Sequence, residues 1–114
     1  MSFEEGLIAL EEELKKGGYN HTRQSGVLED APVAMFSYGG AAFDDAGYSR
    51  TLLRIQYAYE RQPEGADLIA FEEETSSLIE IVEETGAFVL QRVIGPDVGP
   101  AGNLLLTIET LHCG

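Results

Sequence analysis

The chain is short of basic residues, with 7 lysines and arginines against 20 aspartates and glutamates and a net charge of −13. That shortage argues against binding nucleic acid through its phosphates, which needs clustered Lys and Arg. Anionic membrane surfaces are disfavoured for the same reason. The single cysteine, Cys113, excludes an internal disulfide or a thiolate metal cluster built from one chain. No apolar run approaches the ~20 residues that span a bilayer. The opening Met1-Ser2-Phe3-Glu4-Glu5 is acidic, whereas a secretory signal has a basic start and an apolar core. These absences predict a cytoplasmic chain, or one assembled from cytoplasmic components. Its acidity suits positive partners or simple solubility.

Catalytic signatures are also missing. The sequence has no G-x-x-x-x-G-K-[ST] phosphate loop, no G-x-G-x-x-G after a strand and no G-x-S-x-G elbow. His21 and His112 stand at opposite ends of the chain, in segments expected to be mobile, so the H-E-x-x-H pattern of zinc chemistry is absent. His21, in the polar stretch Tyr19 to Arg23, is expected to be solvated. Asp44-Asp45 offers oxygen ligands, but a calcium loop needs several more at alternating positions. The glutamates of residues 72–84 read as a solvated helix face rather than an acid–base pair, which would need a desolvated pocket. The expectation is a protein that is not an enzyme and uses no metal or cofactor.

What is present is a well-punctuated run of elements within a single domain, residues 1–114. Ser2 and Glu5 form a capping box, and Phe3, Leu7, Leu10 and Leu14 then recur on one helical stripe, widened by Ile8. Gly17-Gly18 ends this helix. Tyr19 to Asp30 is polar and irregular. Pro32 opens a strand, Val33 to Tyr38, that is apolar on both faces. From Thr51 to Glu60, Leu53, Ile55, Tyr57 and Tyr59 alternate with Arg54, Gln56, Ala58 and Glu60, the mark of a half-buried strand. After the turn formers Pro63-Glu64-Gly65 the period changes to about 3.6. A second helix is predicted from about Ala66 to Thr85, with Leu68, Phe71, Thr75, Leu78 and Val82 on its apolar stripe. Phe88 to Ile94 and Asn103 to Leu111 read as closing strands around a protruding loop at 95–102. Leu104, Leu106 and Ile108 are predicted to face the core.

Residues 39–48 lack clear periodicity and carry Phe43 and Tyr48 in a glycine-containing loop. Ordered loops of that length tend to be functional. The alternative is a long hairpin connection whose aromatics fold back onto the core. Arg54 and Arg92 each fall within a predicted strand. Pairing with nearby glutamates is the expectation, and an intersubunit ion pair the alternative if that face meets another subunit.

This order of helix, strand, long loop, strand, helix, strand, long loop, strand resembles the small tail terminator or tail-completion proteins of long-tailed bacteriophages and related particles. The resemblance is carried by Phe3–Leu14, by the proline-led strand Ala31-Pro32-Val33-Ala34-Met35-Phe36-Ser37-Tyr38, by Arg50 to Tyr57 running on to Asp67, and by Leu104 to Glu109. It implies a ring, typically of six subunits, that terminates the tail tube and joins the head or neck. The implied partners are further copies of the chain and the tail tube and neck proteins, with no direct nucleic-acid or membrane binding. The implied location is the virion or the bacterial host cytoplasm. An acidic ring on the path of exiting DNA would also repel phosphate.

The predicted fold is α+β, a mainly antiparallel four-stranded or slightly larger sheet covered by two amphipathic helices. Phe43, Asp44, Asp45, Tyr48 and Arg50 are the candidate interface residues, from their position and composition. Two other classes share the acidic α+β character: the dimeric chaperones of type III secretion, and acidic inhibitors that mimic DNA. A ring, a client-bound dimer and a competitor of DNA differ in stoichiometry and ligand, which separates the three.

Overall fold

The computed structural model describes residues 2–24, 31–43, 45–59, 66–99 and 102–113. Along the chain run α1 (Phe3–Lys16), β1 (Asn20–Thr22), β2 (Val33–Phe43), β3 (Ser49–Ala58), α2 (Ala66–Thr85), β4 (Phe88–Val98) and β5 (Leu104–His112). The strands form one sheet in the order β1-β2-β3-β5-β4. β1 pairs with β2 in parallel, and every other neighbouring pair is antiparallel. The fold is thus α+β with two helices, as expected, but its sheet has five strands and is mixed.

Both helices lie on one face. In α1 the capping box forms: Ser2 Oγ accepts from the Glu5 N–H at 3.1 Å, and the Glu5 carboxylate accepts from the Ser2 N–H at 3.4 Å. Leu7, Leu10 and Leu14 are buried, while Ile8 stays exposed. From α2, Phe71, Leu78 and Val82 join them against Leu53, Ile55 and Tyr57 of β3 and Leu104, Leu106 and Ile108 of β5. Two strands with period-2 alternation therefore meet two helices with period-3.6 stripes, and the residues assigned to each stripe supply the core. Leu68 is the exception in α2, because it is 50% exposed rather than buried.

Three local expectations are corrected. Residues 20–22, read as part of an irregular stretch, pair with Val33 to Met35 as β1. Residues 39–43 belong to β2, which continues to Phe43 past a register shift between Tyr38 and Ala41. Gly40 adopts φ +88°, open to glycine but strained for other residues, and a Cβ at Gly39 would lie 2.6 Å from Leu52 Cδ2. Likewise β4 runs through Gly95-Pro96 to Val98 by way of a second irregularity, so residues 95–98 of the expected loop are strand. The turn at 63–65 lies outside the described residues.

Register places the two hairpin tips at opposite ends of the sheet. Phe43 pairs with Ser49, Leu52 with Leu111 and Phe88 with His112, which gathers the β2–β3 tip, the start of β4 and the end of β5. The β4–β5 turn closes the other end, where Gly99 N–H donates to Asn103 O at 2.7 Å and Asn103 Nδ2 donates to Tyr59 O at 2.8 Å.

Candidate functional site

The β2–β3 hairpin carries the expected interface residues. Phe43 ends β2 and is 75% exposed, and Tyr48, just before β3, is 67% exposed. The aromatics therefore do not fold back onto the core. Asp45 is exposed, while Arg50 is half-buried in β3 opposite Ala42. Asp44 lies outside the described residues. Tyr38 joins the same arm at 69% exposure, and sequence reasoning missed it because the residue closes an otherwise apolar strand. Burying three such rings against a partner removes large apolar areas from water, which makes exposed aromatics a mark of contact surfaces.

Beside this arm, Asp45, Ala46 and Arg50 border a shallow depression with Val89, Gln91, Leu111, His112 and Cys113. Its histidine is packed into the sheet: His112 lies in β5, with its ring edge-on to Phe3 at 5.6 Å, and its Nε2 is buried without a hydrogen-bond partner. His21 is likewise held in a strand. It stacks on Phe36 at 6.2 Å, and its Nδ1 stands 3.4 Å from Glu11 Oε2 without hydrogen-bond geometry. Arg23 closes this cluster, donating to Glu11 and Glu4 at 2.6 Å and 2.9 Å. Glu11, although charged, is thereby held with its side chain only 19% exposed.

The sheet face away from the helices holds a charged centre. Arg54, Arg92 and Glu109 are register neighbours across β3, β5 and β4. Glu109, only 5% exposed, accepts from Arg54 Nε and Nη2 at 3.2 Å and 2.9 Å through one oxygen and from Arg92 Nε through the other. The bonds from Arg92 and then Arg54 hold the Glu109 carboxyl below the usual carboxylate range. Sequence alternation placed Arg54 on this face and predicted glutamate pairing. It did not identify Glu109 as the shared acceptor.

A second polar contact lies inside the helical layer. Tyr57 donates its hydroxyl to Glu74 Oε2 at 2.9 Å, and Tyr19 donates to the Glu74 backbone carbonyl at 2.5 Å. Phe71 lies 5.2 Å from Tyr59 and stacks on Tyr57 at 6.5 Å. Burial, then the bond to Glu74 and its charge, push the Tyr57 hydroxyl well above the ordinary tyrosine value. Glu74 is therefore part of the packing, unlike the exposed Glu72, Glu73, Glu80, Glu83 and Glu84 around it.

Among the described residues, no group of three or more His, Cys, Asp or Glu side chains is placed to hold a metal ion. No described helix is long and apolar enough to cross a membrane. No family model matches the chain, and no curated protein sequence is significantly similar to it.

Proposed function

We propose that this chain is a non-enzymatic structural subunit of a phage tail or related particle. It assembles into a ring that terminates the tail tube and joins it to the head or neck. The observation that carries this reading is the β2–β3 arm, where Tyr38, Phe43 and Tyr48 stand well exposed around one hairpin. A folded domain gains nothing by holding three aromatic rings in water, whereas a subunit that meets a neighbour there buries them. The element order that resembles tail terminators agrees with this role, and so does the wealth of exposed apolar residues on β4. The partners are further copies of the chain and the tail tube and neck proteins.

The test is rings by negative-stain electron microscopy of the purified chain, together with its mass in solution. Closed rings of about six subunits support the reading. A tight dimer at all dilutions favours the chaperone class instead.

One observation favours a second reading. The two helices hold twelve acidic residues against two basic ones, an anionic layer of the kind a DNA mimic needs. Displacement of DNA from a basic nucleic-acid-binding protein by the monomer would support it. Failure to compete at low salt would remove it.

A further inference from the structure

Charge is divided between the two layers of the fold. The helices carry twelve acidic and two basic residues, whereas the five strands carry three arginines, one aspartate and one glutamate. Of those arginines, Arg54 and Arg92 flank Glu109 on the face that no described helix covers. One carboxylate for two guanidiniums leaves that centre with an excess positive charge. Arg54 Nη1 and both terminal nitrogens of Arg92 donate to no described residue, and the Arg92 side chain is 67% exposed. By register, Val89 and Ile94 stand beside Arg92 on the same face, both exposed.

The complement lies on the opposite side of the molecule. On the outer surface of α2, exposed Leu68 and Ile69 adjoin Glu72 and Glu73 at helical spacing. Both patches combine branched aliphatics with charge, and their charges are of opposite sign. A chain with a basic, apolar sheet face and an acidic, apolar helix face is complementary to a second copy of itself. Because the patches differ, the contact is head-to-tail, which generates a closed ring or an open filament according to the rotation between copies.

We infer that the Arg92-centred sheet face docks the Leu68–Glu73 face of α2 from a second copy of this chain. Glu109 fixes the two guanidiniums in place, so that their unused N–H groups meet Glu72 and Glu73 of the neighbour without much ordering cost. Burial of Leu68 and Ile69 against Val89 and Ile94 supplies the apolar part. This deepens the ring reading, and rests on it only for closure.

The test compares wild type, Arg92→Gln and the double variant Glu72→Gln, Glu73→Gln by sedimentation velocity, alone and mixed in equal amounts. Arg92→Gln leaves Arg54 on Glu109, and the double variant alters only exposed helix positions, so both are expected to keep the fold by thermal melting. Each variant alone should associate about tenfold or more weakly, as expected for losing a charge-assisted contact. The mixture should form two-chain complexes and stop there, because each pair of unlike variants retains one intact junction. Variants that associate like wild type, or a mixture no stronger than its components, would overturn the contact even if wild type forms rings. Two-chain complexes in the mixture with open polymers in place of wild-type rings would uphold the contact and overturn closure. A wild type that stays monomeric would overturn both.

Discussion

The Tyr57 hydroxyl donates to Glu74 Oε2 at 2.9 Å, which ties the buried centre of β3 to a glutamate of α2 whose sequence context places it on a solvated face. Tyr57→Phe keeps the ring and removes that bond. Hydrogen bonds to charged groups contribute about 1.5–3 kcal/mol, so a loss near the lower end is expected in urea unfolding. Glu74→Gln retains an acceptor and should cost less. An unchanged midpoint for Tyr57→Phe would mean the contact contributes nothing net.

The same tyrosine sets an alkaline limit. Its ionisation is raised by burial above the ordinary value of 10.0, so the folded state favours the protonated hydroxyl. The stabilisation is complete below the unfolded value and is lost as pH rises above it. Stability followed by chemical denaturation should fall above pH 10, about where free tyrosine ionises, and Tyr57→Phe should flatten that fall. Tyr19, also raised chiefly by burial, accounts for a residual slope.

Glu109 works in the other direction. Its ionisation is lowered by Arg92 and Arg54, so its contribution is present above the ordinary value of 4.5 and disappears as pH falls through the lowered one. Glu109→Gln should therefore destabilise the protein at neutral pH by about 1–3 kcal/mol. The difference from wild type should shrink in acid. A constant difference from pH 7 to pH 3 would show that the lost interaction is packing rather than charge.

The β2 bulge depends on its glycines. A Cβ at Gly39 would fall 2.6 Å from Leu52 Cδ2 and 2.9 Å from Leu52 Cγ, so Gly39→Ala forces the leucine to move. Overpacking of this kind costs about 1–3 kcal/mol and should appear as a lowered melting temperature. Gly18→Ala is not a useful control, since that position has positive φ.

The exposed arm gives the opposite pattern. Phe43→Ala with Tyr48→Ala should leave monomer stability within about 0.5 kcal/mol per site, as for surface positions, while weakening assembly. A loss of several kcal/mol in the monomer would instead mark the rings as core, the result expected for truncating buried aromatics.

Much of the scaffold was readable because its signals are local. The Ser2–Glu5 capping box, the Leu7–Leu10–Leu14 stripe and the Leu53–Ile55–Tyr57 alternation each specify an element and its buried side. β1 was not readable, since Asn20-His21-Thr22 has no apolar alternation. Its place depends on pairing with β2, on the His21 ring over Phe36 and on Arg23 reaching Glu4 and Glu11, all tertiary. Gly39-Gly40 and Gly95-Pro96 read as turns, yet partner strands absorb both as irregularities within long strands. Leu68 shows a different limit: periodicity says which residues share a face, not how far the opposing surface extends.

The candidate surfaces divide in the same way. Alternation put Arg54 on the face away from the core, but the shared use of Glu109 is a consequence of register across three strands. Helical period grouped the α2 glutamates, yet only the packing of Tyr19 and Tyr57 separates Glu74 from Glu72 and Glu73. A charge-reversal test of whether the acidic surface repels exiting DNA should therefore change Glu72 and Glu73 to lysine and leave Glu74 intact. Unchanged ejection in such a particle would remove that role.

The measurement that bears most directly on ring assembly is the solution mass by light scattering coupled to size exclusion, across a concentration series. Ring assembly requires a hexamer, or a monomer whose mass climbs toward one as concentration rises. A mass fixed at the dimer or at the monomer over the whole series would contradict it.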